Sequence, residues 1–220
     1  MLMELREVMR TTGAVREFTD EPVDSEVLRR VLDNARFAPS GGNQQGWHVI
    51  VVEDATVRRV LADRSAEVWR RYLTEQAAGY RAFSVIRPAP PGLTEPEGLP
   101  PYPMFAHIES VPVVLVVVVD LAALAVLDRD LTRIPIAPGA SIYPFVHNVL
   151  LAARDEGLGG VLTTFLAARE PEVTELLGLP EHHAIAAMVG LGRPRHQVRR
   201  LRRRPVEEFA TVDRFDGRPL

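Results

Sequence analysis

The chain has 220 residues, no cysteine, 46% hydrophobic content and a formal net charge of -3. That is enough apolar sequence for one core of ordinary size, and the charge balance offers no global attraction to nucleic acid or membranes. Every one of the 26 residues counted as Lys+Arg is arginine, so disulfides, thiolate chemistry, Schiff bases and a Walker-type lysine are all excluded.

Met1 to Arg6 alternates charge with apolar residues and lacks a signal-peptide pattern, which reads as cytoplasmic. Asp24 is a plausible N-cap for a helix ending near Phe37, with Val27, Leu28, Val31, Leu32 and Ala35 on one face and Pro39 as its stop. Ala38 to Trp47 then forms a loop of small, hydroxyl and amide residues, followed by a strand over Val49–Val52. Such a loop brings backbone N–H groups, a hydroxyl and an amide close to a flat, polar-edged ligand. Asp54 caps a further helix with Val57, Val60 and Leu61 inward. Residues 87–107 carry seven prolines and read as an irregular excursion, either a lid, an interface element or a disordered stretch.

Pro112 opens a valine run ending at Asp120, the pattern of a central strand buried on both faces and far too short to span a bilayer. Ser141 to Glu156 reads as a helix closed by Gly157. Gly157-Leu158-Gly159-Gly160 follows a helix rather than opening one, which excludes a dinucleotide fingerprint; a thin backbone there could pack against a ring. A short helix with Pro171 near its start and Gly178 past its end leads to a strand over Ala184–Leu191. Helices outnumber strands without βαβ alternation, so the class is α+β, in a single domain over 1–220.

The tail over 193–220 holds arginines 193, 195, 199, 200, 202, 203 and 204. It reads as a solvated charge run or as the captor of a small ligand's phosphate; nucleic acid is disfavoured by the acidic whole-chain balance and the lack of interleaved aromatics. The histidines show no metal spacing, and Ser40 lies outside any nucleophile elbow. No side chain is assigned as catalytic and no metal is expected; the hard chemistry is delegated to a cofactor.

Together, Val15-Arg16-Glu17-Phe18, Ala38-Pro39-Ser40 with Asn43, Gln45 and Trp47, Gly157-Leu158-Gly159-Gly160, and Arg203-Arg204-Pro205-Val206-Glu207-Glu208 resemble the nitroreductase family of FMN-dependent oxidoreductases. The resemblance implies a mixed central sheet flanked by helices, and a homodimer with two FMN sites at the interface and exchanged C-terminal arms. It implies NADH or NADPH as reductant and ping-pong hydride transfer through flavin N5 to a nitroaromatic, quinone or similar planar acceptor. By the same resemblance Arg16 lies at the flavin's pyrimidine edge or ribityl chain, Pro39, Ser40 and Gly41 line the ribityl and ring, and Asn43 bonds the polar edge. Leu162 and Thr163 present backbone groups near N5, and Arg203 pairs with the phosphate. Flavin fragmentation, reduction of one dedicated metabolite and non-catalytic cofactor binding are the alternatives. The chain departs from the family pattern where Thr12-Gly13-Ala14 replace Arg-Arg-Ser, leaving Arg10 or a tail arginine such as Arg202 to compensate, and where Gly46 replaces a frequent proline.

Overall fold

The valine run opened by Pro112 becomes β2 (Val113–Asp120), and side-chain alternation sends its residues into two separate cores. Val114, Val116 and Val118 join one cluster, while Val113, Leu115, Val117 and Val119 join the other. The protein's structure is a computed structural model that describes residues 3–220; Met1 and Leu2, part of the N-terminal stretch read above, lie outside the described residues.

Four strands form one sheet in the order β1-β2-β4-β3, with β1 spanning Trp47–Val51, β3 Gly159–Thr163 and β4 His183–Gly192. All three strand pairings are antiparallel. The expected mixed character is confined to an isolated parallel bridge between Ala14 and Gly160. Hydrophobic runs locate strands but carry no polarity, so the mixed sheet rested on the resemblance alone.

One face of the sheet is covered by α2 (Ser25–Ala35) and α5 (Tyr143–Asp155), through Val31, Ala35, Phe145, Val146 and Val149. The other is covered by α3 (Ala55–Ala77) and α4 (Pro103–Ala106), through Leu61, Ala62, Met104 and Phe105. Both expected caps form: Asp24 accepts from the Glu26 amide at 2.7 Å, and Asp54 from the Val57 amide at 2.9 Å. A further helix, α1 (Leu5–Thr11), carries no side-chain cap and buries only Val8, which leaves it without a start signal or an apolar face to read. The helix with Pro171 is shorter than read: α6 covers Glu170–Val173, and Gly178 follows at φ +62° after a turn.

The proline-rich segment is irregular over most of its length, yet its end belongs to the core. Tyr102, Met104 and Phe105 are buried, so the excursion stops near residue 101 rather than 107. It is tied down by Trp69, whose indole N–H donates to the Pro100 carbonyl at 2.9 Å. Glu75, buried on α3, accepts from the Phe83 amide at 2.7 Å and from Arg71 at 2.8 Å. These bonds, the amide first, hold its carboxyl below the usual range against the opposing effect of burial.

The glycines that open β3 pack closely against the chain itself. A Cβ on Gly159 would meet Val15 at 2.7 Å, and one on Gly160 would meet Leu191 at 2.5 Å and Leu150 at 2.9 Å. This closeness lets the Val15 amide donate to the Gly160 carbonyl at 2.9 Å. Gly160→Ala should therefore lose about 1–3 kcal/mol of stability by overpacking, read as a lower midpoint in urea unfolding with an unchanged slope.

Candidate functional site

The Pro39–Gly46 loop enters edge strand β1 in a run of left-handed backbone: Gly42 (φ 59°), Asn43 (φ 55°) and Gln45 (φ 50°). Non-glycine residues in that region cost energy and concentrate at functional loops. Two bonds hold the shape: the Gln45 amide donates to Ser40 Oγ at 2.9 Å, and the Gly41 amide donates to Ser141 Oγ, also at 2.9 Å. Pro39, Gly41 and Asn43 are exposed and Ser40 is half-buried. Trp47, at the end of the loop, stacks on Phe145 at 4.7 Å and anchors it to α5. Gly46 has no room for a side chain, since its Cβ would lie 2.6 Å from that of Ala123; a proline there would collide with the segment after β2.

Leu162 and Thr163 lie on the opposite edge strand, β3. Gly160 turns its carbonyl away from β4 toward Val15, and by the two-residue period of a strand Leu162 turns its backbone N–H and C=O the same way. Thr163 instead faces inward: it is 5% exposed, and its hydroxyl donates to the Met188 carbonyl at 3.4 Å. Arg16 follows the Ala14–Gly160 bridge, and its Nε donates to Tyr102 Oη at 2.8 Å. Burial raises the Tyr102 hydroxyl's pKa, and the Arg16 bond partly opposes this.

Arg203 is exposed and lines a cleft with Met9, Arg10, Arg199, Arg200 and Leu201. The tail reaches this place through a bridge between Phe18 and Pro194 and a bond from the Gln197 amide group to the Thr11 carbonyl at 3.1 Å. Arg202 does not line this cleft.

The expected site residues thus fall into two groups. Pro39, Ser40, Gly41 and Asn43 belong to the β1 edge, and Arg16, Leu162 and Arg203 to the β3 edge, three strand intervals or about 14 Å across the sheet. No hydrogen bond joins the groups among the described residues. Sequence reasoning missed two contributors, Ser141 and Tyr102. Neither sits in a motif, and only the folded chain brings them to Gly41 and Arg16.

The segment between β2 and α5 is a further feature. Asp128, 8% exposed, accepts from the Ile136 amide at 2.8 Å and from Arg133 at 2.6 Å. The Ile136 amide, with Arg133 and the Ala137 amide, holds its pKa down at about 2, against 3.8 ordinarily. The closed loop displays Leu127, Leu131, Ile134 and Ile136, all exposed. Among the described residues there is no cluster of metal-ligating side chains, and no helix is long and apolar enough to cross a membrane.

Comparison with known proteins adds the family. A relative from Thermus thermophilus named NADH dehydrogenase is 29% identical, with 88% of each chain covered. A 5,6-dimethylbenzimidazole synthase from Rhodobacter capsulatus is 30% identical over 86% of this chain and 83% of its own. The crystal structure of a nitroreductase with bound FMN from Desulfitobacterium hafniense superposes with a TM-score of 0.63 at 20% identity, covering 96% of this chain and 98% of that one.

Because the native pKa of Asp128 lies below its unfolded value, its contribution to loop order is complete above about pH 4 and is lost as pH falls through about 2. The Ile136 and Ala137 amide resonances should hold their positions down to about pH 4 and shift below it, and Asp128→Asn should remove that titration. With the nitroreductase family model matching residues 9–193, from the last turns of α1 to the end of β4, the chain belongs to the nitroreductase family.

Proposed function

We propose that the protein is an FMN-dependent oxidoreductase that takes reducing equivalents from NADH or NADPH and delivers them to a planar acceptor such as a nitroaromatic or a quinone. The supporting observation is the β3 edge, where Leu162 turns its backbone N–H and C=O away from β4 with no partner among the described residues, on the strand that Ala14, two residues before Arg16, bridges at Gly160. That is a donor set suited to the polar rim of a flavin, and it stands in a chain of the nitroreductase family. FMN would supply the hydride chemistry, accepting from the nicotinamide and releasing to the second substrate in turn.

The protein's own groups bind, orient and tune. Arg16 places positive charge where a reduced flavin accumulates negative charge, which favours reduction. The Leu162 N–H orients the ring, while the buried Thr163 hydroxyl fixes the end of β3 rather than touching the cofactor. Ser40, with its lone pair engaged by the Gln45 amide, keeps its own O–H free to donate. Asn43, exposed in a left-handed turn, offers its amide, and Pro39 and Gly41 leave a thin wall against which a ring or ribityl chain can lie.

Since the two groups occupy opposite sheet edges, a complete site takes its β1-edge loop from one protomer and its β3 edge from a second. The exposed side chains of Phe37, Leu127, Ile136, Val206, Phe209 and Phe215 suit burial in such a homodimer, with the 193–220 arm reaching across. The 30%-identical relative named 5,6-dimethylbenzimidazole synthase favours a second reading, in which the same site breaks down its own flavin.

Purified protein should be yellow, absorbing near about 450 nm as flavoproteins do, and should oxidise NADH or NADPH when a nitro or quinone acceptor is present. Colourless protein that takes up no FMN contradicts the proposal. Loss of flavin absorbance during aerobic turnover, with a benzimidazole product and no acceptor reduction, selects the second reading.

A further inference from the structure

Where the resemblance implies Arg-Arg-Ser, this chain carries Thr12-Gly13-Ala14, with no charge and no side chain at position 13. The structure shows what fills the space. A Cβ on Gly13 would lie 3.0 Å from Leu201 and 3.1 Å from Val198, so the tail is seated directly on this glycine. Val198 and Leu201 are half-buried against it, while Arg199, Arg200 and Arg203 between and after them stay exposed. Gln197, bonded to the Thr11 carbonyl, and Arg154, donating to Thr11 Oγ1 at 3.0 Å, fix the same junction.

The result is a cleft in which Arg10 from the last turn of α1 meets Arg199, Arg200 and Arg203 from the tail. None of these four forms a salt bridge among the described residues, whereas Arg30, Arg64, Arg169 and Arg193 elsewhere are each paired with glutamate. Arg203 spends one N–H on the Arg202 carbonyl at 2.8 Å, which steadies its guanidinium and leaves its other donors free. Four like charges gathered in one cleft repel, and a dianion relieves that repulsion with charge-assisted hydrogen bonds. Planar guanidinium forks match the oxygens of a phosphate monoester.

We propose that this cleft is a phosphate-monoester site, in which Arg10, Arg199 and Arg200 join Arg203 to replace the contacts absent at Thr12-Gly13-Ala14. Gly13 is the residue that makes the replacement sterically feasible, because a side chain there would push the tail and its arginines away. The assignment rests on the flavin reading above and gives the FMN phosphate its place; the 2′-phosphate of NADPH is the competing source of the same chemistry.

The test compares affinities for FMN and riboflavin, which differ only in the phosphate, by quenching of flavin fluorescence. Arg10→Ala and Arg200→Ala should each weaken FMN by about tenfold or more and leave riboflavin unchanged. Gly13→Val should do the same by unseating the tail, and Arg202→Ala, outside the cleft, should alter neither. Equal effects on both flavins, no effect on FMN, or an equal loss in Arg202→Ala overturns the proposal. A changed ratio of KM for NADPH over NADH with FMN affinity intact also overturns it, by moving the cleft to the nicotinamide cofactor. Native protein that binds neither flavin overturns the proposed function itself, a result distinct from all of these.

Discussion

Pairing between β2 and β4 is the constraint on which everything else in this fold depends. Their registers place valines of both faces at the centre of two cores, and the bulge between Val117 and Val118 is absorbed without exposing either face. With β2 and β4 in the middle, β1 and β3 have to be edges, and an edge strand keeps half of its backbone groups unpaired. Here those edges are not left bare. One receives a loop of left-handed turns braced by Ser141, and the other receives the Ala14–Gly160 bridge followed by the open backbone of Leu162.

The arrangement explains why close-packed glycines sit where they do. Gly159 and Gly160 let the N-terminal segment lie against β3, Gly13 lets the tail lie against that segment, and Gly46 lets the Asn43 loop pass Ala123. Each replaces a side chain by backbone at a place where another piece of chain packs closely. The groups proposed to hold the flavin ride on the layers so assembled: Arg16 on the N-terminal segment, Arg203 on the tail, Ser40 and Asn43 on the loop.

Much of this was legible in the sequence, and the rest was not for identifiable reasons. The strand after Pro112, the caps at Asp24 and Asp54 and the helix closed by Gly157 are local patterns, and they formed within about two residues of where periodicity put them. The residue motifs pointed to the family that the comparison then showed. Local patterns carry neither strand polarity nor the partner of a side chain. The antiparallel sheet, the inward turn of Thr163, the Tyr102 hydroxyl on Arg16 and the burial of Met104 at the end of a proline-rich stretch all depend on contacts distant in sequence. So does the seating of Leu201 on Gly13, which turns an apparent defect in the motif into a place for the tail.

The central claim is that one site draws on the β1-edge loop of one protomer and the β3 edge of another. It is tested most directly with two binding-defective variants, Asn43→Trp and the double variant Arg16→Glu, Arg203→Glu, made separately and as a mixed dimer isolated through two different tags. Each variant alone should retain almost no FMN. The mixed dimer should recover about half of the native flavin content, because one of its two equivalent sites then combines an unaltered loop with an unaltered edge. A mixed dimer as empty as its parents, or a native protein that holds FMN as a monomer, would contradict the account.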